Sequence, residues 1–221
     1  MPAALDPGYK HADISLSDEN RSASLSGNDG VSKLVFGDTA HSWGDQGNEW
    51  AWDTSFAHPW NPTATVGFGV AKDAARASLT GTLRASSDAI MFYSDGYLWD
   101  GPHGASYSKT AWPVINGTEV YGGFRFRIEP YTNQIVVVQG NSAIQTITLS
   151  GGDEGPWYPV LEMANNGGGT LLCKTRWTPD ELHQSYFAAD VGWWYPVPFQ
   201  AIDNRNKYPR TGYVPFNLMG I

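Results

Sequence analysis

Residues 124–141 read FRFRIEPYTNQIVVVQGN. Phe124, Phe126 and Ile128 alternate with Arg125, Arg127 and Glu129. Successive side chains on a strand point to opposite faces, so this segment is a strand with one apolar and one charged face. A Pro/Asn-containing turn follows, and then the β-branched run from Ile135 to Gln139. Together they predict an antiparallel hairpin. Working outward, short alternating runs bounded by Gly, Asn, Asp, Ser and Pro recur at 13–16, 33–36, 49–53, 65–71, 89–93, 144–149, 160–163 and 171–177. About ten half-buried strands are therefore expected, spaced as in an all-β protein. Ile144 and Ile147 are out of phase for a single face, which predicts a bulge or register break between them.

Helical periodicity is almost absent. Thr178, Pro179, Asp180 and Glu181 have the order of a capping box and predict one helical turn near Leu182. Residues 73–88 (DAARASLTGTLRASSD) would form a short helix or a loop, and Gly81 with the Ser/Thr content favours the loop.

Several short stretches carry a physical reason for being core. Trp50 and Trp52 share one face of EWAWD and would supply large buried area between two sheets. In TVGFGVA, glycines alternate with Val66, Phe68 and Val70, a pattern suited to close approach by a bulky neighbour across the sandwich. SDGYLWDG has Asp-Gly at both ends of an aromatic stretch, marking turns. Tyr158 and Pro159 mark entry to a core strand at Val160, because proline is tolerated at a strand's start. NNGGGT, residues 165–170, reads as a hairpin loop between Met163 and Leu171.

Composition narrows the class. Of the 221 residues 41% are hydrophobic, 14% aromatic and 16% charged, which excludes a disordered chain or a long coiled coil. One domain of two sheets is the expected organisation. The net charge of −8 argues against nucleic acid, whose binding rests on clustered Lys and Arg. The single Cys173 excludes an internal disulfide and is expected as a buried small hydrophobe. The opening MPAALDPGYKHADI has no basic-then-apolar leader, and there is no apolar run long enough for a membrane span, so neither secretion by a signal peptide nor membrane insertion is expected.

In order, HADISLS (11–17), EWAWD (49–53), TVGFGVA (65–71), IMFYSDGYLWDG (90–101), the 124–141 hairpin and WYPVLEM (157–163) resemble a SPRY-like, concanavalin-like β-sandwich. The similarity is to the stand-alone modules of bacteriophage and bacterial proteins, and covers residues 11–200. The family's Gly-Asp-x-Ile-Gly turn and Asn-Gly hairpin are replaced here by GTEVYGGF and VQGNS. The resemblance implies an all-β, two-sheet antiparallel jelly roll over 11–202, with an N-terminal arm at 1–10 and a C-terminal arm at 203–221. It further implies a noncatalytic virion protein made in the host cytoplasm, a capsid decoration or a tail or fibre component. Its partners would be other virion proteins or copies of itself, with a host-surface glycan as a further ligand.

The residues themselves offer little chemistry. Glycan hydrolysis on such sandwiches uses carboxylates on one strand face. Glu49 and Asp53 stand at i and i+4, but Ala51 replaces the middle acid, so they read as polar-face residues. His11, His41, His58, His103 and His183 are dispersed, and no HExxH occurs. Asp95 and Asp100 flank a turn without the calcium-loop pattern. No catalytic residue, metal or cofactor is expected. Trp43, Trp60, Tyr97, Trp99, Tyr107 and Trp112 lie in Gly-, Asp-, His- and Ser-rich segments, where aromatic side chains either fill the core or offer rigid contact area to a protein or sugar. In the tail, Arg205, Lys207 and Arg210 precede an apolar finish at Val214, Phe216, Leu218, Met219 and Ile221, as expected of an arm that packs on its own domain or docks on a neighbouring subunit, the second being favoured. The competing readings are a carbohydrate-binding module and a glycan-cleaving enzyme.

Overall fold

The computed structural model describes residues 4–27, 29–40, 50–57, 64–109, 119–129, 134–139, 142–151, 153, 155–167, 170–177, 203–204 and 211–212. The chain divides into two compact units, residues 1–177 and 178–221. In the first, β1 (Leu5–Lys10), β2 (Ile14–Ser17), β3 (Ser22–Leu25), β4 (Lys33–Gly37), β5 (Trp50–Ala57) and β6 (Thr65–Lys72) are followed by a 3-10 turn at Asp73–Ala77. Then come β7 (Ala89–Tyr93), β8 (Tyr97–Asp100), β9 (Ala105–Ser108), β10 (Glu119–Glu129), β11 (Gln134–Gln139), β12 (Ser142–Thr148), β13 (Trp157–Ala164) and β14 (Leu171–Trp177). They form two seven-stranded antiparallel sheets, ordered β1-β4-β13-β6-β7-β8-β9 and β12-β11-β10-β5-β14-β3-β2. In the second unit the described elements are β15 (Asp203–Asn204) and β16 (Thr211–Gly212), paired in parallel.

Alternation sorts the first sheet into two layers. Val35, Val66, Phe68, Val70, Ile90, Phe92, Leu98, Leu161 and Met163 face the second sheet, where they meet Ala23, Leu25, Ile135, Val137, Ile147, Leu171 and Cys173. The intervening Leu34, Phe36, Ala71, Ala89, Met91, Tyr93 and Val160 are also buried, on the opposite face. That outer layer is covered by residues 73–88, with Leu79 and Leu83 packed into it. A sheet buried on both faces reads as a continuous apolar run, as AIMFY does at 89–93.

All ten strands read from the sequence are present, and the 124–129/135–139 hairpin pairs with Phe124 opposite Gln139 and Ile128 opposite Ile135. The register slips where Val137 faces Gln145 and Val138 faces Ala143, leaving Ile144 as the extra residue of the expected bulge. Trp52 stands opposite Phe126 on one side and Trp177 on the other.

Four expectations need correction. Residues 5–10 are an edge strand, not an arm: Leu5 is buried opposite Gly37, although Pro7 and Gly8 erase any alternation. Arg76 holds this strand, its guanidinium 3.5 Å from the Tyr9 ring centre and 4.0 Å from that of Tyr158. The glycines of β6 accommodate the adjacent strand and the outer layer, not the facing sheet. A Cβ on Gly67 would lie 2.5 Å from the Tyr93 ring, and one on Gly69 would collide with the Ile90 carbonyl oxygen. β13 and β14 do not form a hairpin about residues 165–170, because β13 lies in the first sheet and β14 in the second. Pro159 sits within central β13, tolerated because the β4 ladder begins only at Val160 opposite Phe36. The predicted turn near Leu182 lies outside the described residues. No helix among the described residues is long and apolar enough to cross a membrane.

Candidate interaction face

The β7–β8 hairpin places two of the singled-out aromatics on one surface. Asp95 and Gly96 make its turn: the Gly96 amide donates to the Tyr93 carbonyl at 2.9 Å, and the Tyr97 amide donates to Asp95 Oδ1 at 3.1 Å. Gly96 has φ +87°, a conformation that glycine adopts at no steric cost. From this turn β8 sends Leu98 into the inter-sheet core and leaves Tyr97 and Trp99 half-buried against the outer layer. Trp99 Nε1 donates to the Ser86 carbonyl at 2.7 Å, so its ring orientation is set by the covering loop.

Arg84 completes the surface. Its guanidinium lies 4.2 Å from the Tyr93 ring centre and 4.7 Å from that of Tyr97, and it pairs with Asp95. Arg84 and Asp95 both remain partly exposed, so the ion pair itself contributes little, whereas the stacking fixes where the cation stands.

Beneath lies Glu162, a buried carboxylate. It accepts from Ser32 Oγ at 2.8 Å on Oε1, and from the Leu83 amide at 2.8 Å and the Tyr93 hydroxyl at 2.9 Å on Oε2. Three donors satisfy a group whose burial would otherwise be costly, and they fasten the covering loop to β4, β7 and β13. Burial, reinforced by the neighbouring Glu162 charge, pushes the Tyr93 hydroxyl well above the ordinary phenol range. Further along, buried Asp100 accepts from the His103 amide and contacts His103 Nδ1 at 2.9 Å, which secures the β8–β9 turn.

Tyr107 is apart from this surface. It stands opposite Leu98, packs against the inter-sheet core, and lies 5.5 Å from the Lys109 ammonium. Trp43, Trp60 and Trp112 lie outside the described residues, as do Arg205, Lys207, Arg210, Val214, Phe216 and Leu218 of the tail. Glu49 does too, while Asp53 stands in register between Arg125 and Arg176. Cys173 is buried as expected, and burial pushes its thiol far above the usual range. Among the described residues no group of three or more His, Cys, Asp or Glu side chains could hold a metal ion. Sequence reading missed Arg84 and Glu162. The signal for Glu162 was available, a carboxylate inside the apolar run YPVLEMA; the signal for Arg84 was not, since stacking on Tyr93 and Tyr97 depends on the fold.

No family model and no curated protein matches this sequence. Solved structures do resemble it. The TRIM65 PSpry domain is similar at 12% identity and a TM-score of 0.53, over 83% of this chain and 93% of that one. The SPRY domain of human HERC1 shows 10% identity and a TM-score of 0.48, over 78% and 96%. Stonustoxin shows 15% identity and a TM-score of 0.48 over 80% of this chain, which spans only 27% of the stonustoxin chain. Two antiparallel sheets, the near absence of helix among the described residues and the match to the PSpry domain give this chain the fold of a SPRY-like β-sandwich.

Proposed function

We propose that this chain is a noncatalytic protein-interaction module of a bacteriophage-type virion, a capsid decoration or a tail or fibre component. The observation that carries the interaction reading is the face formed by Arg84, Tyr97 and Trp99. These are residue types that dominate binding energy at protein interfaces, and they are held in place before any partner arrives by Asp95, Ser86 and the Glu162 pin beneath. The virion assignment rests on the ordered resemblance of residues 11–200 to the stand-alone phage and bacterial modules. The tail from 203 to 221 would dock on another virion protein or another copy, its three basic residues steering it towards acidic surface in a chain of net charge −8.

A mass-spectrometric inventory of purified particles tests the assignment: the chain should be a stoichiometric component. Arg84→Ala with Trp99→Ala should lower its incorporation while the sandwich, with a lowered melting temperature, stays folded at the assay temperature. Deleting 204–221 should abolish incorporation and leave the sandwich folded. Absence from particles defeats the virion reading. Glycan-array binding that is lost with Trp99→Ala would instead make this face a carbohydrate site.

A further inference from the structure

Each sheet of an open sandwich ends in strands with unpaired backbone groups, a template for another strand. Among the described strands, three of the four edges are blunted. β1 contains Pro7 and carries Asp6 and Lys10, and its Gly8 amide is taken by Asp6 Oδ1 at 2.7 Å. β2 is four residues long, and the Lys10 ammonium caps its Ile14 carbonyl at 2.7 Å. β9 is four residues long as well.

β12 differs. It is seven residues, SAIQTIT, with no charge, proline or glycine, and it ends the second sheet. Its bulge at Ile144 lies near the start, so Gln145 to Thr148 continue in regular register against Val137 to Gln134. Ala143, Thr146 and Thr148 are exposed, while Ile147 faces the core. Lys109 reaches this strand from the first sheet, but its ammonium bonds the Gln145 side chain, Nζ to Oε1 2.9 Å.

We infer that β12 is a self-association edge, at which a second copy of this chain adds its own β12 in antiparallel register. Charge selects that occupant. Two chains of net charge −8 repel over most approaches, and an uncharged seam brings no like charges face to face. Sequence selects it too. Two identical strands crossing a two-fold axis at Ile147 place Thr146 opposite Thr148 on the solvent face and Ile147 opposite Ile147 on the core face, both favourable antiparallel pairings. The contact is self-complementary and closes at two copies. It involves neither the Arg84 face nor the tail, and so stands or falls apart from the virion proposal.

Sedimentation velocity of the full chain over a wide concentration range reads the result. The parent should dimerise, and Thr146→Lys with Thr148→Lys should weaken the dimer at least about 100-fold, because like charges then meet across the seam. Thr146→Glu with Thr148→Glu should also be monomeric, and mixing the lysine and glutamate variants should restore a heterodimer. Ser15→Lys with Ser17→Lys on β2 should leave dimerisation unchanged. Hydrogen exchange on the parent keeps the test open should a variant misfold, since protection of amides 145–148 should rise with concentration. A parent that stays monomeric, a dimer indifferent to the lysine pair, a mixture that does not reassociate, or protection that ignores concentration each overturns the inference.

Discussion

The two buried layers of the first sheet are built by different means. Between the sheets, the core cluster from Val35 to Cys173 is made of apolar side chains carried by strands paired in ladders. The outer layer is closed by residues 73–88, most of which lie outside a ladder, and it contains the buried Glu162. A loop can act as a third layer only when its amides find partners. Here Glu162 takes the Leu83 amide, the Ser32 carbonyl takes that of Gly81, and the Leu79 and Ser86 carbonyls receive the Leu34 amide and the Trp99 indole. Apolar area therefore holds the inner layer, whereas placed hydrogen bonds hold the outer one and keep Arg84, Tyr97 and Trp99 in position.

That contrast is open to direct attack. Phe68, fully buried and edge-on to Phe92 with ring centres 6.4 Å apart, belongs to the inner layer alone. Phe68→Ala should cost about 3 to 5 kcal/mol, seen as one cooperative loss in calorimetry. A loss confined to residues 73–88 would contradict it.

Glu162→Ala should cost about 2 to 4 kcal/mol, because it orphans the Leu83 amide and the Tyr93 hydroxyl. Its mark should be local, with proteolysis and amide exchange rising at 78–88 first. Glu162→Gln should cost under about 1 kcal/mol, since an amide oxygen in place of Oε2 still accepts both bonds and the new NH2 donates to Ser32 Oγ. Equal damage from both substitutions would show that charge, not hydrogen-bond geometry, holds the loop.

Alkali tests both layers together. Cys173 in the inner layer and Tyr93 in the outer have their proton loss pushed up by burial from ordinary values of 9.0 and 10.0. Above those values the unfolded chain sheds protons that the folded chain keeps, so stability is intact below about pH 9 and falls as pH rises. The slope is about 1.4 kcal/mol per pH unit for each group engaged. Denaturant titrations should show Cys173→Ala removing the earlier onset and Tyr93→Phe the later.

A similarly small effect is expected of Trp99→Phe. It keeps an aromatic ring on the outer layer but gives up the bond to Ser86, and should cost about 1 kcal/mol in denaturant unfolding. Exchange should rise near Ser86 and leave the inter-sheet core unchanged.

Alternation in FRFRI, TVGFGVA and LLCKTRW was enough to find the strands and the all-β class, because period two is a local property of the backbone. The break between Ile144 and Ile147 was legible for the same reason. The stretches at 22–25, 97–100 and 105–108 were not read as strands, and 5–10 was hidden by Pro7 and Gly8. Tyr97 and Trp99 were legible as interaction candidates; that Tyr107 packs on the opposite face depends on its pairing with Leu98.

The sequence by itself determined the strand content, the turns at Asp95-Gly96, the bulge at Ile144 and the burial of Cys173, since each follows from neighbours along the chain. Only the tertiary structure decided which sheet each strand joins, that β13 and β14 part into different sheets, and that Glu162 fastens the loop that seats Arg84. Those outcomes depend on partners far apart in sequence, Glu162 with Leu83 and Ser32 among them, and no local pattern encodes which distant segment a buried carboxylate will meet.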